Sequence, residues 1–204
     1  MPVKKLPESY FLSDDVVATA KNLLGKKLVT CIDGIKTSGI ITETEAYAGV
    51  NDKGSHAYGG KRTKRNEVMY HSGGIAYIYL CYGMHPLFNI VTNTKEIPHA
   101  VLIRAIYPVE GKELILKRRN AISMNKNLSN GPGKVTRALG LDLSQNGEKV
   151  FGKTIWLEVQ QQSIPEGKIF SGPRIGIDYA GEDALLPYRF WIKWKDAEEI
   201  FSSK

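Results

Sequence analysis

Two glutamates and a tyrosine alternate in the segment ETEAYAG (residues 43–49), which follows the apolar pair Ile40 and Ile41. Side chains of a β-strand alternate between its two faces, so Glu43, Glu45 and Tyr47 are predicted to share one face. A carboxylate that is partly removed from water and lies near a second carboxylate has a raised pKa, and it can act as a general base near neutral pH. The alternative is an edge strand whose charges face water, and this segment alone leaves both interpretations open.

Four cations lie within five positions of the next polar segment, SHAYGGKRTKRN. Two glycines precede the four, which are Lys61, Arg62, Lys64 and Arg65. Such a run can contact successive phosphates of a nucleic acid, and its binding would then depend steeply on salt. A basic loop that only faces water is the alternative. His56 lies at the start of the segment, and taken alone it is more typical of a structural hydrogen-bonding group than of a catalyst.

Aromatic residues dominate a third segment, AYIYLCYGMHPLFN (residues 76–89). Tyr77 and Tyr79 alternate along a predicted strand, and Tyr82, Gly83 and Met84 are predicted to form its turn. In a protein that binds duplex DNA, a bulky side chain on a tight turn can push between base pairs and fill the gap left by an extruded base. These tyrosines could equally be core and rim residues of a sheet.

The surrounding elements predict a single domain over residues 1–204 with a mixed α/β (α+β) fold. A helix is expected at residues 14–24, followed by strands at 27–32 and 36–47 that Asp33 and Gly34 join in a tight turn. Residues 49–74 are polar and glycine-rich, which predicts a long surface loop. Further strands are expected at residues 75–82, 87–92, 100–107, 154–159, 174–179 and 188–193, and helices at 110–121 and from the GPGK turn at 131–134 to near 140. Short turns without regular βαβ alternation favour a curved, largely antiparallel sheet with surrounding helices.

Composition excludes several classes of protein. The 42% hydrophobic and 24% charged residues are typical of a globular chain, and the longest apolar run, residues 75–84, is far shorter than the ~20 residues that cross a bilayer. No signal peptide is evident, so a cytoplasmic location is expected. Cys31 and Cys81 have no paired spacing and are expected to be buried free thiols. The net charge of +7 favours polyanionic partners without identifying one.

Several of these motifs, taken together, resemble those of a known family. The chain has ETEAY, a histidine after a short spacer, GG with a basic TKRN, YIYLCYGM with a downstream FN, and VLIRA, in that order. This combination is similar to the alkyladenine (3-methyladenine) DNA glycosylases, the mammalian-type N-methylpurine glycosylases. The similarity covers residues 28–193 and includes SNGPGKVTRALGL, RIGIDYAGE and PYRFWI. It implies a bacterial member of the family, one that associates with the nucleoid while it acts on DNA.

The resemblance also implies an activity. Family members hydrolyse the N-glycosidic bond of alkylated or deaminated purines, of the 3-methyladenine, 7-methylguanine and hypoxanthine type, after flipping the nucleotide out of duplex DNA. No cofactor is expected, the partner is duplex DNA that contains a damaged purine, and a monomer suffices for one site. No lysine is singled out as a nucleophile, so a monofunctional hydrolase without strand-nicking activity is expected.

The same resemblance implies roles for particular residues. Glu45 would be the general base that activates water for attack on C1′, and Arg104 would hold that water and the carboxylate. Tyr82 would be the wedge that fills the vacated stack. The base pocket would be formed by Tyr47 and Tyr79, which stack on the base, by His56, which hydrogen-bonds it, and by Asn89 at the floor, where the family uses it against the exocyclic amino group of guanine.

The residues after the YGM turn, the role of Glu43 and the overall function each leave alternatives open. His85 and Pro86 follow the YGM turn where the family pattern predicts another large side chain, which leaves the shape of the wedge undefined. Glu43 could tune Glu45 or pair with a basic neighbour. A non-catalytic lesion or nucleic-acid binding module, with residues 131–134 gripping a phosphate, is the alternative function. A metal-dependent hydrolase is disfavoured, because the close pairing of zinc ligands is missing from the four histidines His56, His71, His85 and His99.

Overall fold

The computed structural model describes residues 4–202 of the chain. Within them, an antiparallel sheet curls into a half-barrel. Its strands are β1 (Lys27–Ile32), β2 (Ile35–Tyr47), β3 (Ala76–Cys81), β4 (His85–Thr92), β5 (His99–Glu110), β6 (Ile155–Glu158), β7 (Phe170–Gly172) and β8 (Arg189–Trp191). The main path runs β3-β4-β5-β2-β1-β6, and β8 pairs with both β2 and β7. The predicted mixed α/β class with a curved antiparallel sheet is therefore confirmed.

The two longest strands, β2 and β5, form the centre of the sheet. Ile41 pairs with Ile106 and Glu43 pairs with Ala105, so Thr42 is an additional residue that forms a bulge in β2. Past the bulge, residues 43–45 pair with β8 on the side where residues 35–40 pair with β1. The ETEAY segment is thus paired on both sides, and the edge-strand interpretation is wrong.

Turn chemistry explains the β1–β2 hairpin. Asp33 and Gly34 have φ values of 52° and 76°, the left-handed pair that a tight two-residue hairpin requires. The predicted hairpin is therefore confirmed, with both strands within one residue of the expected bounds.

Four α-helices cover the sheet within residues 4–202: α1 (Val16–Leu23), α2 (Lys112–Arg119), α3 (Pro132–Leu139) and α4 (Trp194–Phe201). The Asp15 side chain caps α1 by accepting a hydrogen bond from the Ala18 N–H at 2.8 Å. Thr44 in β2 donates to the Ala20 carbonyl of α1 at 2.8 Å, so this face of β2 lies against the helix. Glu43 and Glu45 therefore point to the opposite face. None of the helices described is long and apolar enough to cross a membrane.

Several predicted elements are corrected. Residues 174–179 do not form a strand, because Gly176 has a left-handed φ of 79° and the chain bends there before a 3₁₀ segment, Asp178–Leu185. Sequence patterns did not predict α4, β7 or the 3₁₀ helix Glu8–Leu12. The 49–74 loop carries three short 3₁₀ helices, and part of it is buried against β3, β4 and β5. Cys31 and Cys81 are free thiols, but both are partly exposed rather than buried.

Candidate active site

A cavity of about 390 Å³ opens between the β3–β4 hairpin, the 49–74 loop and the bend around residue 175. Its volume is in the range of small-molecule sites. Seven of the side chains predicted to act on DNA line this cavity, namely Tyr47, His56, Arg65, Tyr79, Tyr82, Asn89 and Arg104. The fold thus brings together residues that are far apart in the sequence, and we call this space the catalytic cavity.

Glu45 lies behind the wall of the catalytic cavity, with its side chain fully buried. Its carboxylate accepts hydrogen bonds from the Ile175 N–H at 2.8 Å and from the Tyr47 hydroxyl at 2.9 Å, and both partners line the cavity. Burial raises the pKa of Glu45; the Arg104 charge and the two hydrogen bonds oppose this, but the pKa remains above its ordinary value. A buried carboxylate with a raised pKa beside a cavity has the properties of a general base.

Glu43 shares an arginine with Glu45. The Nε of Arg104 donates to Glu43 Oε1 at 3.2 Å, while its nitrogens lie 3.4 and 3.5 Å from the two Glu45 oxygens. Nη1 of Arg189 donates to the same Glu43 oxygen at 3.1 Å. Glu43 therefore pairs with two basic neighbours, and one of them, Arg104, also contacts Glu45.

His56 presents a neutral ring to the catalytic cavity. Its Nδ1 lies 2.8 Å from the Tyr77 hydroxyl, and its ring packs edge-on against Tyr79 with centroids 4.5 Å apart. Burial, reinforced by the charges of Arg65 and Lys61, lowers the pKa of His56 to about 4. The ring is therefore uncharged at neutral pH, and no group of residues 4–202 is hydrogen-bonded to its Nε2.

Asn89 extends the polar part of this wall from strand β4. Its side chain is buried, and Nδ2 donates to the Tyr77 carbonyl at 3.1 Å. This bond fixes the orientation of the amide in the cavity.

The β3–β4 hairpin carries Tyr82 at its tip. Residues 82–84 form the turn, with φ values of 50° at Tyr82 and 72° at Gly83. The Tyr82 side chain is 90% exposed and that of Met84 is 68% exposed. Because an exposed aromatic side chain on a tight turn gains little from the fold, this geometry fits a group that contacts another molecule.

The basic run of the 49–74 loop divides into two kinds of side chain. Arg62 is ion-paired with Glu67 and Glu96 and packs over the Tyr70 ring. Arg65 lies over the Tyr79 ring at 5.0 Å and lines the catalytic cavity, while Lys61 and Lys64 are exposed and form no ion pair within residues 4–202. Three of the four predicted phosphate contacts are thus available to an anion, and Arg62 would first have to leave its carboxylates.

A buried ion pair, Arg174 with Asp52, supports the site, and no sequence pattern predicted it. Both Nη atoms of Arg174 donate to the Asp52 carboxylate, at 2.5 and 2.8 Å, and Nη1 also donates to the Ala46 carbonyl. The guanidinium lies 4.8 Å from the centroid of the Tyr47 ring. Arg174 therefore ties the 49–74 loop and β2 to the bend that delivers the Ile175 N–H to Glu45.

Metal ligands are not grouped in the part of the chain that the structure covers. No set of three His, Cys, Asp or Glu side chains among residues 4–202 could hold an ion. His56, His71, His85 and His99 therefore do not make one metal site.

A buried glutamate beside a cavity is the arrangement expected of an enzyme that acts on a ligand held in that cavity, and comparison with known proteins identifies the family. The model of the methylpurine-DNA glycosylase family matches residues 10–196. A Chlamydia felis protein named "Putative 3-methyladenine DNA glycosylase" is 53% identical over 196 residues, which cover 96% of this chain and all of the relative. A Bacillus thuringiensis protein of the same name is 48% identical, over 90% of this chain and 93% of the relative. The chain belongs to the methylpurine-DNA glycosylase family and is a DNA glycosylase.

Proposed function

We propose that this chain is a monofunctional glycosylase that removes alkylated or deaminated purines, of the 3-methyladenine, 7-methylguanine and hypoxanthine type, from duplex DNA. The damaged nucleotide is flipped out of the duplex, its base enters the catalytic cavity, and the bond between base and sugar is hydrolysed to begin base excision repair. The observation that carries this proposal is Glu45, a fully buried carboxylate with a raised pKa whose hydrogen-bonding partners line the cavity. The relatives' names support the 3-methyladenine part of this substrate class.

Glu45 acts as the general base. Its two short hydrogen bonds, from Ile175 and Tyr47, leave lone pairs on the carboxylate that can accept a proton from water. The water oxygen forms a bond to C1′ and the water proton passes to Glu45. The glycosidic bond breaks, and its electron pair leaves with the base. Arg104 keeps the carboxylate in place, and the negative charge of Glu45 stabilises the positive charge that develops on the sugar.

The aromatic wall selects the base. An alkylated purine carries a positive charge, which the faces of Tyr47 and Tyr79 attract. His56 does not repel that charge, because its low pKa keeps the ring neutral. The cationic base also leaves as a neutral product, so it needs no proton from the protein. Hypoxanthine is neutral and must gain a proton to leave, so its release should be slower.

The surface around the cavity binds the duplex. Tyr82 enters the base stack in place of the flipped nucleotide, and the exposed cations Lys61 and Lys64 contact phosphates together with Arg65 and, once released, Arg62. One site on one chain is enough for this recognition, so the protein acts as a monomer.

Release of free base from a duplex that contains one 7-methylguanine or one hypoxanthine tests this proposal. Wild type should release the base, and Glu45→Gln should lower the rate by ~10²- to 10⁴-fold, the usual contribution of a general base, without loss of duplex binding. Glu158→Gln is the matched control, because Glu158 is a buried glutamate on β6 that pairs with Lys27, away from the cavity. Its rate should equal that of wild type.

Two results would contradict the proposal in different ways. Wild-type protein that binds the damaged duplex and never releases base would favour the lesion-binding module. A Glu45→Gln variant with the full rate would mean that another group activates the water.

A further inference from the structure

A second cavity, of about 510 Å³, adjoins the catalytic cavity. Arg104 and Ile175 line both spaces, so they form the shared wall. The second cavity continues from this wall past Gly131, at the start of α3, to strand β8 and the start of α4. The roles described above for the catalytic cavity give no function to this second space.

The charge of the second cavity is strongly positive. Four cationic side chains line it against a single carboxylate, that of Glu43. This carboxylate is already bonded to two of the four, Arg104 at 3.2 Å and Arg189 at 3.1 Å. The other two, Lys126 and Lys193, are exposed and form no ion pair within residues 4–202. Like charges placed together without a counterion raise the local potential, which favours an anionic ligand.

Arg189 is oriented in advance for such a ligand. Its Nε donates to the Pro173 carbonyl at 2.8 Å, its Nη1 donates to Glu43, and its guanidinium lies 4.2 Å from the centroid of a Trp191 ring. Nη2 makes no hydrogen bond to any residue in the described range. A guanidinium held by three contacts loses little entropy when its remaining N–H groups bind a phosphate oxygen.

We infer that the second cavity binds a backbone phosphate of the damaged strand, one of the two that flank the flipped nucleotide. This inference rests on the proposed function, because that function places the sugar C1′ near Glu45 and therefore at the wall that the two cavities share. The phosphates on either side of a nucleotide lie within one backbone repeat of its C1′. Lys126 and Lys193 supply the charge, and Arg189 supplies directed N–H groups.

The inferred phosphate site lies close to Glu45, the proposed base. Arg189 and Arg104 share one oxygen of Glu43, so a phosphate that contacts Arg189 lies next to the ion pairs that hold Arg104 against Glu45. Binding energy from the DNA backbone is thereby used close to the reacting bond, where it fixes the sugar in position for attack.

A double-mutant cycle between protein and DNA tests the inference. The protein change is Lys126→Ala with Lys193→Ala. The DNA change is a neutral methylphosphonate in place of either phosphate that flanks a single 7-methylguanine or hypoxanthine, introduced one at a time. The matched control is Lys112→Ala with Lys117→Ala, which removes the same charge from exposed positions on α2. The readout is the rate of base release at subsaturating protein.

We expect one of the two methylphosphonates to slow wild type and the control by roughly tenfold, as for loss of a charge-assisted hydrogen bond. The lysine variant should be slow on normal DNA, and that methylphosphonate should slow it little further. Equal slowing of all three proteins at both positions, or a lysine variant as fast as the control, would overturn the inference. Wild type that releases no base from normal DNA would instead contradict the proposed function, so the two failures are distinguishable.

Discussion

Two arginine–carboxylate groups within residues 4–202, Arg174 with Asp52 and Arg104 with Glu45, differ in how fully the buried carboxylate is satisfied. Asp52 receives both Nη atoms of Arg174, at 2.5 and 2.8 Å, together with the N–H groups of Ala48 and Gly54 at 2.9 Å each. Glu45 has only two short hydrogen bonds, and its arginine contacts are 3.4 and 3.5 Å long. Arg104 also donates to Glu43 at 3.2 Å, so the two glutamates share it.

The difference separates an ion pair suited to a structural role from the group that we propose to be catalytic. A carboxylate with four close donors has no acceptor position left for a water proton, so Asp52 can hold the loop but cannot act as a base. Glu45 is buried and incompletely paired, which raises its pKa and leaves lone pairs free. Glu43 shares Arg104 with Glu45, and this sharing leaves the Glu45 carboxylate less fully paired.

Replacing the arginine of each group should give the largest difference in stability between the two groups. Arg174→Met leaves the Asp52 charge buried without its partner, so the free energy of unfolding should fall by ~3–5 kcal/mol. Arg104→Met should cost less stability, because Glu43 keeps Arg189 and buried Glu45 can take up a proton, but it should slow base release severely. Urea unfolding and base release measured on both variants check this, and equal loss of stability in the two would contradict it.

Because Arg104 contacts both Glu43 and Glu45, a change at Glu43 should alter the pKa of Glu45. Glu43→Gln removes a negative charge that raises the pKa of Glu45, and it leaves Arg104 with one carboxylate instead of two. Both effects lower the pKa of Glu45. Since the base works in its ionised form, the acidic limb of the pH profile of kcat/KM should move to lower pH, and the maximum rate should fall by roughly tenfold as the base weakens.

A purely structural role for Glu43 would not produce that shift. Glu158→Gln controls for loss of a buried glutamate elsewhere, and its pH profile should coincide with that of wild type. An acidic limb that stays in place or moves to higher pH in Glu43→Gln would show that Glu43 does not tune Glu45.

Local patterns explain how much of this site was predictable. Alternation along one strand places Glu43, Glu45 and Tyr47 on one face, and the left-handed turn exposes Tyr82, because both depend on neighbouring residues. The Asp52–Arg174 pair joins positions 122 residues apart, so no local pattern predicts it. The donor from Ile175 is a backbone N–H, which every residue type except proline carries, and its placement depends on a bend at Gly176 that the apolar alternation of residues 174–179 concealed.

The smallest expected change in stability is that of Glu45→Gln, and the matching change Asp52→Asn should differ from it in sign. Asp52→Asn removes the charge that Arg174 needs and presents an NH₂ group where all four partners are donors, so the variant should be less stable than wild type across the pH range. Glu45→Gln should be at least as stable as wild type at pH 7, because the carbonyl can accept from the Ile175 N–H and the NH₂ can donate to the Tyr47 hydroxyl.

The difference in stability between wild type and Glu45→Gln should change with pH in one direction. The pKa of Glu45 is higher in the folded protein than in the unfolded chain, so protonation favours folding: the stabilising contribution is full below the unfolded pKa of about 4.3 and is lost as the pH rises through the folded value. Wild type should therefore lose stability relative to Glu45→Gln as the pH increases across this interval. Urea unfolding of the two proteins between pH 4 and pH 8 measures the change, and a gap that instead closes with rising pH would mean that Glu45 is as fully paired as Asp52.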